Sequence, residues 1–513
     1  MKDDPLALTG AGLTPAAIVA VARRAAAVTI APAARTRMAA ARAVVERHLA
    51  EGRPVYGLTT GLGPRATFSL PADALAEFSR LTVLGRAHGV GPRLRSEVVR
   101  ATMLVRANGL VKGGAGARPE IAEALVALLN AAVHPVVPSI GSTGASDMCL
   151  IAHVGLTLIG VGDADHAGAT LPARAALERA GLAPLTLAPK DGLALISANA
   201  ATAGQAALAL ADAEDLLDLA QAAAALSMEG FRANLSPIDA RVAAARPAPG
   251  QVAAAAQLRD LLAGGALAEP GAARRLQDPL SFRCVAPVHG SVRAALDFAA
   301  AALDPELNGA GDNPLVLIES AEILSTGNFH TPALALALDA AGLALCQAAN
   351  LAASRCARLL AERFSDLPAN LTRRGPTRSG FAPLMKTAEA LCAEIRHLAN
   401  PVSADARTGA DGVEDDSTNA PLAARKLAEI VERWRLLVAL ELLMAAQAVD
   451  LASVSRLGRG TALAQEAVRR LVAPLDEDRP LGGEVERLAA EALASGALLA
   501  ALRAALSPPV ADR

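Results

Sequence analysis

The chain has 513 residues, 53% of them hydrophobic and 19% charged, so it is large enough for two or three domains and too apolar to be intrinsically disordered. Aromatic residues make up only 2%, the apolar residues are mostly Ala, Leu and Val, and the formal net charge is −2. Close-packed helices are therefore expected, whereas a β-sandwich, a β-barrel or a nucleic-acid-binding surface is not.

The cysteines and apolar stretches indicate the cellular setting. Five cysteines are scattered without a C-x-x-C pair, which argues against a disulfide framework and against a metal site. The first residues, MKDDPLALTG, lack the basic start and apolar stretch of a secretory signal. The longest apolar stretches, 148–161 and 436–449, are shorter than the ~20 residues that a membrane span needs. The sequence therefore predicts a cytoplasmic protein with no metal and no membrane partner.

The first part of the chain, residues 1–200, is predicted to form short helices separated by loops. Its helical patterns are interrupted by Gly-rich or Pro-rich segments at 55–64, 109–119 and 135–144. Loops of this composition commonly carry binding and catalytic residues. We therefore expect a smaller, loop-rich N-terminal helical domain that holds the active-site loops.

The remainder, residues 201–513, has long helical periodicity, and the segments 332–364 and 421–457 each exceed 30 residues. Helices well above the average length of about 11 to 12 residues are typical of a bundle. Their apolar character on all sides favours burial by neighbouring helices or other subunits. The predicted fold is thus mostly α, with a long central helix bundle, and self-association is expected.

The single tyrosine, Tyr56, lies in VYGLTTGLGPR, where three glycines in seven residues allow a sharp bend and a close approach to a ligand. One interpretation is an aromatic plug in a turn. The other is a general acid or base, which would require nearby cations or donors to lower the phenol pKa from about 10.

A second Gly-rich turn, in VVPSIGSTGASDMCLIAHVG, precedes an apolar helix, with Asp147 near the helix start. The turn is interpreted either as a simple helix cap made by Ser146 or Asp147, or as an anion-binding nest. It is not a Walker loop, because no G-K-[ST] follows, and it lacks the G-x-S-x-G of a nucleophile elbow.

Six strings occur in one order along residues 50–450: YGLTTGLG, GSTGAS, LQDPLSFRC, GDNPL, GNFH and VEDD. In order and spacing they resemble the histidine and phenylalanine ammonia-lyase family. The resemblance implies a mostly helical homotetramer whose active sites combine residues from several subunits. It also implies elimination of ammonia from an aromatic α-amino acid, without an external cofactor. The family's electrophile, methylidene-imidazolone (MIO), forms from an internal Ala-Ser-Gly.

The resemblance assigns roles residue by residue. Tyr56 falls on the catalytic base, and Arg283 falls on the arginine that holds the substrate carboxylate through a bidentate pair. The further positions that match active-site residues of the family are Gln277, Asn313, Phe329 and Glu414. Each has a plainer interpretation, such as a helix-capping Asn313 or a surface Glu414.

The MIO-forming string departs from the family, because Ala145-Ser146-Asp147 lacks the glycine expected after the serine. Ring closure requires the amide nitrogen after the serine to attack the alanine carbonyl, and glycine leaves that nitrogen unhindered. Two alignments stay open: Ala145, Ser146 and Asp147 form a modified MIO, or Asp147 matches the family's aspartate and the triad has lost a member. The sequence favours the second alignment.

Two further departures favour loss of MIO. The asparagine beside MIO falls on Ser197, with Asn199 two residues later as a substitute, and a second active-site tyrosine falls on Leu280. The chain keeps the base, Tyr56, and the carboxylate-binding Arg283 while the electrophile is lost. This combination fits a substrate whose leaving group departs without assistance. The trimethylated ammonium of ergothioneine is such a group, and ergothionases resemble this family.

Substrate selection is predicted to involve LTVLGRAHGVG, where the family's side-chain selector aligns with Arg86 and His88 follows. An arginine there suits an anionic or thiolate ring, whereas a surface Arg86 and a packing His88 are the plainer interpretations. Asp416 and Lys386 are also charged where the family is usually not. Lys386 either faces solvent or, if buried, stabilises a developing anion.

The sequence therefore predicts a carbon-nitrogen lyase that removes ammonia or a substituted amine from an aromatic, imidazole-like α-amino acid and needs no external cofactor. An MIO-bearing histidine ammonia-lyase and an aminomutase are the enzymatic alternatives. A ligand-binding homologue without catalysis is the alternative from another class. The fumarase and aspartase group is disfavoured, because its G-S-x-x-M-P-x-K-x-N loop is absent.

Overall fold

Helices hold 62% of the protein in the computed structural model, which describes residues 4–405, 409 and 412–506. This confirms the mostly α fold predicted from composition. The physical reason is the abundance of Ala and Leu, since Ala loses no side-chain entropy in a helix and Leu loses little.

Within the described residues the α-helices are, in chain order, α1 (Pro15–Arg24), α2 (Pro32–Ala50), α3 (Leu75–Arg86), α4 (Ser96–Val111), α5 (Pro119–Asn130), α6 (Met148–Leu158), α7 (Ala173–Arg179), α8 (Asp191–Ile196), α9 (Ala200–Phe231), α10 (Ala240–Ala245), α11 (Pro249–Leu262), α12 (Leu280–Arg283), α13 (Val285–Asn308), α14 (Pro332–Leu360), α15 (Glu362–Ser365), α16 (Ala382–Leu398), α17 (Ala420–Ala452), α18 (Arg459–Leu471), α19 (Gly482–Leu488) and α20 (Ala497–Leu506).

The strands are short and form small sheets that fasten loops together. The first two sheets are a parallel pair of β1 (Leu6–Leu8) with β2 (Val28–Ile30), and an antiparallel pair of β3 (Val90–Arg93) with β5 (Pro138–Ile140). The other two are an antiparallel sheet ordered β4 (His134–Pro135), β6 (Asp163–His166), β7 (Ala169–Pro172), and a hairpin of β8 (Leu315–Leu317) with β9 (Glu322–Leu324).

The chain divides into two compact units. The first comprises the described residues of 1–211, 299–339 and 401–428, and the second those of 212–298, 340–400 and 429–513. The boundary predicted at 200 falls at the start of α9, whereas the division between the two units falls between Ala211 and Asp212, within that helix. The two later returns to the first unit had not been predicted.

A small apolar core in the first unit supports the tyrosine loop. Val44 and Val45 on α2 pack with Val55 and Leu58, which flank Tyr56, and with Val316 on β8. All five side chains are at least nine-tenths buried. Because β8 begins at the last residue of GDNPL, the same core holds the tyrosine loop and the end of that motif in one unit.

The second unit contains a fully buried ion pair between Arg355 on α14 and Glu441 on α17. Arg355 Nε lies 2.6 Å from Glu441 Oε1, and Nη2 lies 2.9 Å from Oε2. Ser227 Oγ also donates to Glu441, at 2.9 Å. The carboxylate is therefore fully satisfied inside an otherwise apolar bundle.

Two helical stretches, Asp191–Phe231 and Pro332–Leu360, have the length and apolar composition of a membrane span. Of the most apolar 18 residues in each stretch, 94% are buried inside the protein in the first and 61% in the second. Packing within the protein accounts for most of this apolar character, which is typical of central helices in a bundle.

We expect Glu441→Gln to lower the free energy of unfolding by about 3–5 kcal/mol, because it leaves Arg355 as an uncompensated buried charge. Chemical denaturation of the wild type and the variant measures the difference. The matched control is Glu466→Gln, which breaks the exposed pair with Arg470 and should cost about 0–1 kcal/mol. Equal effects of the two substitutions would contradict the structural role of the buried pair.

Candidate active site

Tyr56 lies in the turn after α2 and is half-buried. Its Oη accepts a hydrogen bond from the Gly63 N–H at 3.0 Å, which fixes the phenol against its own loop. Gly57 has a φ of +67°, and a Cβ there would lie 2.3 Å from Leu193 Cδ2 on α8. Glycine is therefore required where the loop turns and packs on α8.

Arg86, the last residue of α3, interacts electrostatically with Tyr56. Burial lowers the pKa of Arg86, and the negative charges of Tyr56 and Glu414 act on it in the opposite direction. Arg86, Tyr56 and Glu414 therefore lie within electrostatic range of one another. The sequence prediction named all three as site residues without predicting that Tyr56 and Glu414 would both act on Arg86.

Glu414 lies in the VEDD segment, exposed to solvent, and its backbone pairs with Gly409. The Gly409 N–H donates to the Glu414 carbonyl at 2.6 Å. Two residues later, Asp416 Oδ2 lies 3.0 Å from His330 Nε2, and this contact lowers the pKa of Asp416. The segment is thereby joined to the GNFH motif, which contains His330.

The Asp147 carboxylate is completely buried and has three hydrogen-bond donors. Oδ2 accepts from the Thr202 N–H at 2.7 Å, and Oδ1 accepts from Thr202 Oγ1 at 3.0 Å and Ser142 Oγ at 3.1 Å. Burial raises the pKa of Asp147 to about 6, against the effect of these hydrogen bonds. Asp147 is the N-cap residue of α6, but its side chain makes no capping bond to that helix and binds the start of α9 instead, so the expected side-chain cap is not formed.

The backbone of the same segment is also anchored. The Asp147 N–H donates to the Ala198 carbonyl at 2.7 Å, and Ser146 Oγ donates to that carbonyl at 3.0 Å. Ala145 forms an antiparallel bridge with His330. Ser146 has a φ of +68°, an uncommon conformation for a residue with a side chain. The loop is thus held by partners on both sides.

These contacts do not fit formation of MIO from Ala145, Ser146 and Asp147. The nitrogen that would attack the Ala145 carbonyl belongs to Asp147, and its N–H is bound to Ala198. Turning that nitrogen would also withdraw the Asp147 carboxylate from Thr202 and Ser142, leaving a buried carboxylate unsatisfied. A glycine at this position would have no side chain to withdraw from Thr202 and Ser142.

Other predicted site residues of the first unit surround this loop. Asn199 Nδ2 donates to the Phe329 carbonyl at 2.6 Å, which joins the start of α9 to GNFH. Ser197 is buried at the end of α8. Asn313 Oδ1 accepts from the Thr326 N–H at 3.0 Å, so it is held by the loop that follows β9 and caps no helix.

His88 is exposed, and its Nδ1 lies 3.6 Å from the Cys149 Sγ on α6. Burial raises the pKa of the Cys149 thiol. His88 lies two residues beyond the end of α3, beside the helix that begins directly after Asp147.

The second unit contains three predicted site residues. Arg283 ends α12, and its Nε donates to the Asp278 carbonyl at 2.7 Å. Among the described residues neither Nη group of Arg283 has a hydrogen-bond partner, so both are free to bind a carboxylate. Gln277 is exposed, as is Lys386, whose Nζ forms an ion pair with Glu389 at 2.9 Å. The alternative of a buried Lys386 is not observed in the protomer.

In the first unit, the structure places four residues near the Asp147 loop or near α8 that sequence reasoning missed, namely Arg106, Thr202, Glu306 and Asp312. Arg106 Nη2 forms a buried ion pair with Asp312 at 2.7 Å, immediately before Asn313. Asp312 belongs to the GDNPL string, so this motif could have identified it from the sequence. The other three stand in ordinary helical sequence and carry no signal of their own.

The comparisons with known proteins agree with this arrangement of motifs. The family model described as aromatic amino acid lyase matches residues 13–470. A histidine ammonia-lyase of Symbiobacterium thermophilum is 42% identical over 500 residues, covering 97% of this chain and 98% of that protein. The structure of an ergothionase from Treponema denticola, in complex with desmethyl-ergothioneine sulfonic acid, is similar with a TM-score of 0.93 at 33% identity, covering 97% of this chain and 100% of that one. The structure of histidine ammonia-lyase from Trypanosoma cruzi is similar with a TM-score of 0.91 at 31% identity, covering 99% of this chain and 96% of that one.

The raised pKa of Asp147 predicts a specific pH dependence of stability. Because the folded protein favours the protonated carboxyl, stability falls as pH rises from the ordinary value of 3.8 through about 6. The loss amounts to up to about 3 kcal/mol. Asp147→Asn cannot ionise, so its unfolding midpoint should change less than that of the wild type across this interval. Parallel pH profiles of the two proteins would contradict the assignment.

Proposed function

The chain belongs to the aromatic amino acid lyase family, and from this premise we propose that it eliminates ammonia or a substituted amine from an imidazole-like α-amino acid without MIO. It is an ammonia-lyase-type enzyme, as its histidine ammonia-lyase relatives indicate. The absence of MIO and the imidazole-like substrate are the proposed parts.

The observation that carries the proposal is the double anchoring of Asp147. Its N–H binds the Ala198 carbonyl, and its carboxylate binds Thr202 and Ser142. Both sets of contacts oppose the movement that ring closure needs. The segment 145–147 is therefore proposed to line the site as ordinary polypeptide.

In the proposed reaction Tyr56, as phenolate, takes the β-proton of the substrate. The electrons of the broken C–H bond form the carbon-carbon double bond, and the C–N bond breaks with its electron pair leaving on nitrogen. Arg86 supplies a cation next to Tyr56, suited to pair with an anionic or thiolate ring. Arg283 is proposed to hold the carboxylate, since both of its Nη groups are available.

An elimination without an electrophile requires a good leaving group. A quaternary ammonium leaves as a neutral tertiary amine, so it needs no electrophilic assistance. The similarity to the Treponema denticola ergothionase supports a substrate of this kind. We therefore propose a trimethylated imidazole amino acid, such as ergothioneine, as the first substrate to test.

A homotetramer in the cytoplasm is proposed as the working form. Large apolar side chains lie exposed on the protomer near proposed site residues, among them Leu276 at 95% and Leu280 at 61% exposure. Each lies within three residues of Gln277 or Arg283 in sequence. Contact with another subunit would bury them, which supports an active site completed by self-association.

Histidine elimination through MIO is the second candidate. It is favoured by the 42% identity to the histidine ammonia-lyase of Symbiobacterium thermophilum. It requires the modified ring that the contacts of Asp147 oppose. The two candidates therefore differ in a covalent property of the purified protein.

Intact-mass measurement tests the absence of MIO independently of activity. We expect the purified protein to have the mass of its unmodified sequence, because ring formation would remove two waters, or about 36 Da. Ser146→Ala serves as the reference that cannot form the ring. A deficit of two waters in the wild type but not in this variant would refute the proposal.

The elimination itself is tested by incubating the protein with histidine, phenylalanine, tyrosine and ergothioneine and following the ultraviolet absorbance of the conjugated acid. We expect turnover of ergothioneine, reduced by about 10² to 10⁴ in Tyr56→Phe, which loses the base but keeps the ring. The variant should retain the wild-type circular dichroism spectrum. An unchanged rate in Tyr56→Phe would exclude the tyrosine as the base, and no turnover of any substrate would favour the binding homologue.

A further inference from the structure

A small cavity of about 260 Å³ lies in the first unit, behind the residues that anchor the Asp147 loop. Its wall includes Ala198 and Asn199, at the junction of α8 and α9, and Glu306 near the end of α13. Ala198 is the residue whose carbonyl accepts from both Ser146 and Asp147. The cavity and the proposed site therefore share a wall.

The Glu306 carboxyl is the charged group in this cavity that has no partner. Among the described residues it makes no hydrogen bond and no ion pair. The other charged group of the wall is Arg106, whose charge is matched by Asp312 at 2.7 Å and whose Nε donates to the Leu195 carbonyl. Arg106 is therefore already paired with other protein groups, whereas Glu306 is available to a ligand.

Two further observations point to a cationic ligand. Burial together with the charge of Asp147 raises the pKa of Glu306 to about 7, which indicates that no protein cation stabilises its ionised form. Asn199 Nδ2 is used by the Phe329 carbonyl, and the buried Asn199 Oδ1 has no hydrogen-bond partner. The wall therefore offers a carboxylate and an amide oxygen, which both accept hydrogen bonds.

We propose that this cavity is a binding site for a small ammonium-type cation, with the Glu306 carboxylate as its counter-charge, and that it receives the amine released by the elimination after that neutral amine has accepted a proton from the aqueous solvent. The identity of the amine rests on the proposed function, but the site itself does not. Its volume is below the 300–1,000 Å³ typical of pockets for larger ligands and is sufficient for a small amine with a few waters, at about 30 Å³ each.

The test is a titration of the full-length protein with ammonium chloride and, separately, trimethylammonium chloride, at constant ionic strength set with sodium chloride. Thermal unfolding is followed at about pH 8, where Glu306 is mostly ionised. We expect at least one amine to raise the unfolding midpoint saturably. In Glu306→Gln the apparent affinity should fall about tenfold or more, as for loss of a charged hydrogen-bonding partner.

Two variants complete the design. Glu306→Asp keeps the charge but withdraws it by one methylene, so its affinity should fall between those of the wild type and Glu306→Gln. Glu322→Gln removes an exposed carboxylate on β9 and should respond like the wild type. Saturation by ammonium alone indicates release of ammonia, and saturation by trimethylammonium indicates a tertiary amine.

Absence of saturable stabilisation by either amine would overturn the site, as would an unchanged affinity in Glu306→Gln or an equal loss in Glu322→Gln. The measurement requires no turnover. A protein that is inert towards all four amino acids would still report on the cavity, so failure of the proposed reaction and failure of this site are distinguishable.

Discussion

The buried carboxylate of Asp147 is the constraint around which the site is organised. It lies at the point where α6 begins, and it binds the first turn of α9 through both the N–H and the hydroxyl of Thr202. A carboxylate in this environment is costly unless every oxygen is satisfied, so the loop before α6 and the break between α8 and α9 must keep one geometry. The same geometry places Ala198 against Ser146, and Asn199 against the GNFH loop. One buried charge thus determines how three separate motifs meet.

Much of the fold was predictable because the governing signal is local. Runs of Ala and Leu favour helix wherever they occur, and strings such as YGLTTGLG need glycine at particular positions for reasons visible in the loop itself. The partners of buried charges were not predictable, since they are distant in sequence. Thr202 is 55 positions from Asp147, and Asp312 is 206 positions from Arg106. This is why Asp147 was interpreted as a helix cap, and why Glu306 received no role. The exposure of Lys386 likewise depends on packing that its own helix does not specify.

Charge is distributed unevenly between the two sides of the Asp147 loop. Arg86 stands near Tyr56 and Glu414 on one side, whereas Glu306 faces the small cavity behind Ala198 on the other. In the proposed reaction, an anionic substrate group and a cationic amine would be attracted to different places. Such a separation would favour departure of the amine from the newly formed unsaturated acid and disfavour its re-addition to the double bond.

Gly144 shows how little room the loop has for change. Its φ is +98°, and a Cβ at that position would lie 2.1 Å from Thr418 Oγ1, while the neighbouring Thr143 carbonyl is bound by the Asn419 N–H at 2.8 Å. The segment is held at this end by the residues before α17 and at the other end by α9. An engineer who inserts a glycine after Ser146 to recreate an electrophile would lengthen a stretch whose two ends are both immobilised. The additional residue would have to bulge out of the loop or break one of these two attachments.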